Sequence, residues 1–243
     1  MARILIVDQC SGSKNAPDSA YELSQSETGA ISPEDAIQKY DTVGVAAGDL
    51  YTGRQQEHIS TAINVLSEKG HSVERVFISA GFGLVNSDEE IPPYEATFKN
   101  MDAEEKLERR KRFSIRKKLE KQISNGEYDL VFFTLGAEYY DSFNVQGLCD
   151  SDNDGESDTE PLYILFNNEE VASQTEPAHA VSARMDRAKE FESMIIGLKG
   201  VLMKNFAKNI PQNDVDREYT ATEVESWMTA QPEKTTQNKL SKF

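Results

Sequence analysis

The stretch ARILIVDQCSGSK, residues 2–14, runs from an apolar block into a turn made of Asp8, Gln9, Cys10, Ser11, Gly12, Ser13 and Lys14. A short, unbroken apolar run that ends in such a turn reads as a strand buried on both faces. TVGVAA (42–47), RVFISA (75–80) and DLVFFTL (129–135) repeat the pattern, and LYILF (162–166) supplies a fifth run. The first four end in the small or polar turns DQCSGSK, GDLYTGR, GFGLVNS and GAEYYDS. Helical periodicity falls between them. Residues 54–69 place Ile59, Ala62, Ile63 and Leu66 on one face, with Gly70 positioned to end the helix. Residues 102–124 open on Asp102 with Glu105 three positions later, a capping box without its usual Ser or Thr. A last helix is expected over residues 183–208, carrying Met185, Phe191, Leu198, Leu202 and Phe206.

Strand alternating with helix predicts an α/β fold of three layers, a mostly parallel central sheet of four or five strands with helices on both faces. Ligand sites in such sheets gather at the carboxyl ends of the strands. The turns at Cys10–Lys14, Asp49–Arg54, Gly81–Leu84 and Gly136–Tyr140 are therefore expected to meet on one edge.

The organisation expected for the 243 residues is a single domain over 1–210, with insertions near 15–35 and 149–161 and a polar, flexible tail over 211–243. Within that tail a short helix is expected around Val224–Met228. Residues 15–35 read as a mobile surface loop. No run of about 18 apolar residues spans a membrane, and the strand-like start lacks a charged-then-apolar leader. Two cysteines far apart, Cys10 and Cys149, form no disulfide framework and suit a reducing, cytoplasmic setting. A net charge of −16 argues against broad binding to a phosphate backbone and fits either a solubilising surface or a halophile's salt-rich cytoplasm. One local exception is the basic segment KLERRKRFSIRKK, residues 106–118.

Cys10 stands at a strand end beside the backbone amides of a Gly/Ser turn, a setting that activates a thiol as nucleophile. Lys14 is its electrostatic partner and Ser11 a substrate contact. Lys14 is followed by Asn15, so the turn is not a phosphate-binding P-loop. Asp49, Tyr51, Thr52 and Arg54 precede a helix N-terminus, a natural place to grip an anion or a ribose; His58 reads as an ordinary helix residue. Ser79 and Gly81 permit close approach of a ligand, and Pro92–Pro93 fix the chain ahead of Tyr94. Glu138 is the candidate general base, with Thr134, Gly136 and Tyr139 closing the pocket. The loop Asp150–Asp158 has calcium-type ligands at positions one, three, five and nine with Gly at six, but Pro161 occupies position twelve. It is read as a solvated acidic loop, and neither a metal nor a cofactor is assigned.

C-S-x-x-K after the first strand, D-L-Y-T-G after the second, S-A-x-x-G-L-V…P-Y after the third and L-G-A-x-Y-Y after the fourth resemble, over residues 3–145, an uncharacterised prokaryotic family of unknown function. The C-S-x-x-K turn more distantly resembles the catalytic domain of archaeosine synthase, which attaches lysine to the nitrile of a 7-deazaguanine base in tRNA. That family continues into K-P-Y-x-x-S-x-S-H, whereas Lys14 here runs into Asn15-Ala16-Pro17. The resemblance carries to Cys10, Ser11 and Lys14, and more weakly to Tyr51 and His58.

The leading expectation is an enzyme acting on a nucleotide or modified nucleobase, of the 7-deazaguanine type, as a transferase or hydrolase. An N-glycosidase or deoxyribosyltransferase would depend on Glu138 or Asp49 instead of Cys10. A non-catalytic module would bind nucleic acid or a partner through residues 106–118, using Arg109, Arg110 and Arg112.

Overall fold

The computed structural model describes residues 1–141, 143, 148, 160–174, 177–212 and 217–230. In it the opening apolar run becomes β1 (Arg3–Gln9), in the interior of a six-stranded sheet of order β10-β9-β8-β1-β5-β6. The others are β5 (Ser72–Ser79), β6 (Gly83–Asn86), β8 (Leu130–Phe133), β9 (Leu162–Phe166) and β10 (Ala178–Val181). β1 pairs in parallel with β5 on one side and β8 on the other, β9 and β10 continue in parallel, and only β6 is antiparallel. The chain moves outward from β1 to β5 and then returns to build β8, so the strand order reverses between β1 and β8. This is the crevice where doubly wound sheets hold their ligands. Outside the sheet, β2 (Ser13–Lys14) pairs with β4 (Tyr51–Thr52), and β3 (Val45–Ala46) with β7 (Glu90–Ile91), both antiparallel.

Among the described residues the α-helices are α1 (Pro33–Tyr40), α2 (Ala47–Leu50), α3 (Arg54–Glu68), α4 (Ala103–Phe113), α5 (Ile115–Gly126), α6 (Ala137–Tyr140), α7 (Glu169–Ala172), α8 (Met185–Glu190), α9 (Ile195–Asn209) and α10 (Ala221–Thr229). Alternation along β1 divides the core. Leu5 and Val7 join a cluster with Phe113, Ile115 and Leu119 of α4 and α5. Ile4 and Ile6 join Ile59 and Leu66 of α3, Leu202 and Phe206 of α9, and Val224 and Met228 of α10. The three layers expected from the sequence are present. α3 and α9 approach so closely at Gly200 that a Cβ there would lie 2.7 Å from the Gln55 carbonyl.

Several boundaries differ from expectation. The sheet has six strands, because Gly83–Asn86 and Ala178–Val181 both join it. TVGVAA contributes only a two-residue ribbon strand: Gly44 packs against Ile37 and Glu90, and that segment never reaches the sheet. The helix expected over 102–124 has its Asp102/Glu105 capping box, but Ser114, at φ 49°, breaks it into α4 and α5. The helix over 183–208 is likewise two, α8 and α9. Residues 15–35 are strapped down instead of loose. Leu23 is buried and bridges to Tyr94, Gly29 N–H donates to the Gly81 carbonyl, and Arg109 holds the Gln25 carbonyl and Thr28. The helix expected around Val224–Met228 is α10, and Val224 and Met228 are fully buried. Cys149, the Asp150–Asp158 loop and residues 231–243 lie outside the described residues.

One buried ring ties the ends of the fold together. His71 Nδ1 accepts from Ala2 N–H at 3.1 Å, and Nε2 meets the Pro211 carbonyl at 3.1 Å. The neutral tautomer with hydrogen on Nε2 satisfies both bonds. Burial pushes this imidazole below its ordinary value, so its contribution to stability is complete above about pH 6.5 and is lost as the pH falls. Between pH 7 and 5 the urea stability of the wild type should fall more steeply than that of His71→Gln, by up to about 1.4 kcal/mol per pH unit. Parallel curves would show that the neutral ring is not an anchor.

Candidate functional site

Asp8, the last side chain of β1 on the α3 face, is completely buried. Its carboxylate accepts from Arg75 Nη2 at 2.6 Å, Gln55 Nε2 at 2.8 Å, Thr134 Oγ1 at 2.9 Å and Gln9 N–H at 2.8 Å. Donors from β5, α3 and the turn after β8 thus converge on the end of β1. Gln9 adds a second tie, its Oε1 accepting from Gly136 N–H at 2.6 Å across the reversal point. The turns after β1 and β8 are drawn together by these bonds.

Cys10 follows immediately and is 4% exposed. Its N–H extends the β1–β5 ladder to the Ile78 carbonyl at 3.1 Å. Its Sγ lies 3.0 Å from Tyr139 Oη, which itself donates to the Cys10 carbonyl at 3.2 Å. With that phenol hydrogen engaged, the thiol is the donor to the Tyr139 oxygen. Lys14 enters β2 directly opposite Tyr51 of β4, and its Nζ sits 4.5 Å from the centre of the Tyr94 ring, in cation–π geometry.

A second chain of hydroxyls runs beneath the lysine. Ser79 Oγ accepts from Gly81 N–H at 3.2 Å and Phe82 N–H at 3.1 Å, so its own hydrogen goes to Tyr94 Oη at 2.9 Å. Tyr94 then donates to Tyr51 Oη at 2.8 Å. Gly81 is required by space: a Cβ there would stand 2.9 Å from the Tyr94 ring. Burial pushes Tyr51, Tyr94 and Tyr139 well above the usual phenol range, and negative charge on Cys10 would push each further. All three are therefore neutral hydroxyls, suited to orienting and relaying protons.

Cys10, Lys14, Tyr51, Ser79, Gly81 and Tyr94 thus come together with Tyr139. Thr52 pairs with Ser13 at the margin, and Ser11 Oγ accepts from Ser13 N–H at 3.1 Å. Glu138, half-buried, lies one residue from Tyr139, close to Gly136. Asp49 and Arg54 do not join them. Asp49 projects from the exposed side of α2 into a groove with Ser60, Arg75 and Ser87, and Arg54 is exposed at the start of α3, facing Gly197 of α9. The reason is local: Tyr51–Thr52 is extended while its flanks are helical, so side chains on either side turn away. His58 packs against Gly200 of α9.

Arg109 is removed from the expected basic surface as well. Its guanidinium is buried against the Ala80 and Gln25 carbonyls and Thr28 Oγ1. Arg110, Lys111, Arg112, Lys117 and Lys118 remain exposed. Sequence reading missed the Asp8–Arg75 pair, although a carboxylate closing an apolar strand and an arginine inside VERVFIS were its visible signals. It also missed Lys199 of α9, whose ammonium donates to the Leu135 carbonyl. Burial lowers that lysine to about 8, while Asp8 and Glu138 act in the opposite direction. Among the described residues no cluster of His, Cys, Asp and Glu could hold a metal ion, and no helix is long and apolar enough to cross a membrane.

Residues 36–162, just over half of the chain, match DUF6884, a family of unknown function, and the chain belongs to that family. The matched segment contains Tyr51, Ser79, Gly81, Tyr94 and Glu138 and begins after Lys14. No curated protein matches the chain.

Removing the middle hydroxyl tests the relay. Tyr94→Phe strands the Ser79 hydrogen and one face of Tyr51 and should lower stability by about 1–3 kcal/mol in chemical denaturation. An unchanged midpoint would mean the three hydroxyls do not depend on one another.

Proposed function

We propose that this member of the DUF6884 family is an enzyme acting on a nucleotide or modified nucleobase at the carboxyl edge of its sheet, with Cys10 as nucleophile and Lys14 as electrostatic partner. The observation that carries this reading is the convergence at the strand-order reversal. One strand-end turn carries both a thiol 3.0 Å from a phenol and a cation set 4.5 Å from an aromatic ring, among buried hydroxyls. Tyr139 holds the sulfur, and Tyr51, Ser79 and Tyr94 position the lysine and the walls around it. The distant likeness of the C-S-x-x-K turn to archaeosine synthase supports a 7-deazaguanine-type base over other nucleobases. Asp49 and Arg54, facing elsewhere, are dropped from the substrate grip.

The exposed cations of α4 and α5 favour a base presented within nucleic acid. With the buried Arg109 set aside, eight of the chain's 26 lysines and arginines fall within residues 106–121, against two acidic residues there, Glu108 and Glu120. In a chain of net charge −16 such a face is a local exception, suited to a phosphate backbone. The reading remains enzymatic; the face supplies docking for the substrate's backbone.

The test is binding and turnover of a 7-cyano-7-deazaguanine base, free and within an RNA oligonucleotide. Cys10→Ala should reduce turnover by roughly 10⁶-fold, and Lys14→Ala should weaken binding about tenfold, or about 1.4 kcal/mol. Wild-type behaviour in both variants would overturn the assignment. Loss confined to Glu138→Gln would instead favour an N-glycosidase or deoxyribosyltransferase.

A further inference from the structure

A separate cleft of about 590 Å³ opens over the carboxyl ends of β8 and β9. That volume is typical of small-molecule pockets, roughly 300–1,000 Å³. Leu135, Phe143 and Phe166 are buried behind it, and its accessible apolar lining comes from Ala137, Tyr140 and Val171. Two cations reach it from opposite layers: Lys199 from α9 below the sheet and Arg110 from α4 above it.

The position of Lys199 is costly without a purpose. An ammonium taken partly out of water loses hydration that a single carbonyl does not replace. Of its three donors, one goes to the Leu135 carbonyl, the only hydrogen-bond partner among the described residues. Among the described residues the other two meet no acceptor and face the cleft. Asp8 and Glu138 are the acidic groups close enough to act on the lysine. Asp8 is already committed to four donors, so it offers no close ion pair. Arg110 binds the Asp141 carbonyl with one guanidinium nitrogen. Asp141 and Glu170 also line the cleft; they disfavour a second anionic group on the same ligand and so point to a single one.

We propose that this cleft binds a small ligand with one phosphate or carboxylate group on a planar, apolar body, the anion held by Lys199 and Arg110 and the body laid against Ala137, Tyr140 and Val171. The inference does not depend on chemistry at Cys10, which lies outside the lining of this cleft.

Titration calorimetry on the full chain tests it, with adenosine monophosphate and benzoate as anionic probes and adenosine as the uncharged control. At least one anion should bind more tightly than adenosine, and which one does identifies the group. Lys199→Gln should weaken that binding about tenfold or more, and Arg110→Gln should weaken it too. Wild-type affinity should fall as the pH rises from 7 to 9 and the lysine loses its proton. Lys199→Arg, which stays charged, should remove that dependence, and it guards against a folding failure in Lys199→Gln. Cys10→Ala should leave the binding unchanged, so a failure here is distinguishable from a failure of the enzymatic reading. Anions binding no better than adenosine, or equal affinity in folded Lys199→Gln, would overturn the proposal.

Discussion

The structure depends on one dry carboxylate. Asp8 lies at the carboxyl end of the strand from which the sheet is wound outward in both directions, and it is fully buried. A buried carboxylate is tolerated only when paired and hydrogen-bonded. Satisfying this one requires β5 to bring Arg75, α3 to bring Gln55 and the turn after β8 to bring Thr134. The requirement is geometric as much as energetic, since the three side-chain donors come from three different elements. Cys10 and Tyr139 meet because the turns that carry them leave from this knot.

Charge is divided across the molecule in a way that follows from the same architecture. The cations of α4 and α5 cover one face of the sheet, Arg109 turned inward to hold the 15–35 strap and its neighbours outward to solvent. On the opposite face α9 brings Lys199 up beneath the strand ends. An acidic chain thus keeps positive charge on both sides of the edge where ligands of parallel sheets bind. The hydroxyl chain of Ser79, Tyr94 and Tyr51 is neutral and buried, so it orients neighbours without adding charge.

The sequence made the layers legible because unbroken apolar runs separated by amphipathic helices have few other solutions. It also placed Cys10, Lys14, Tyr51, Ser79, Gly81 and Tyr94 at strand ends, and topology brings these together. What it could not show was direction within a turn. Asp49 and Arg54 flank Tyr51 in sequence yet face away, because one extended pair between two helical segments rotates its neighbours outward. Gly83–Asn86 resembles a ligand loop until its pairing with β5 is known, and TVGVAA resembles a core strand although glycine and alanine leave it too little side chain to fill one. Lys199 had no local signal: its position beneath the strand ends arises from a helix some 190 residues downstream of β1 in the chain. Arg109 looked like surface charge, and only the strap reveals its carbonyl partners.

The most direct test of this account is the Asp8→Asn variant in a Cys149→Ala background, where Cys10 is the sole thiol. Its urea stability and the rate at which a disulfide reagent labels Cys10 are measured together. A carboxamide of the same shape cannot accept from four donors or pair with Arg75, so stability should drop by about 3–5 kcal/mol. Cys10 should then be labelled faster under native conditions. A variant as stable as its parent, with the thiol equally protected, would contradict the claim that this carboxylate holds the site together.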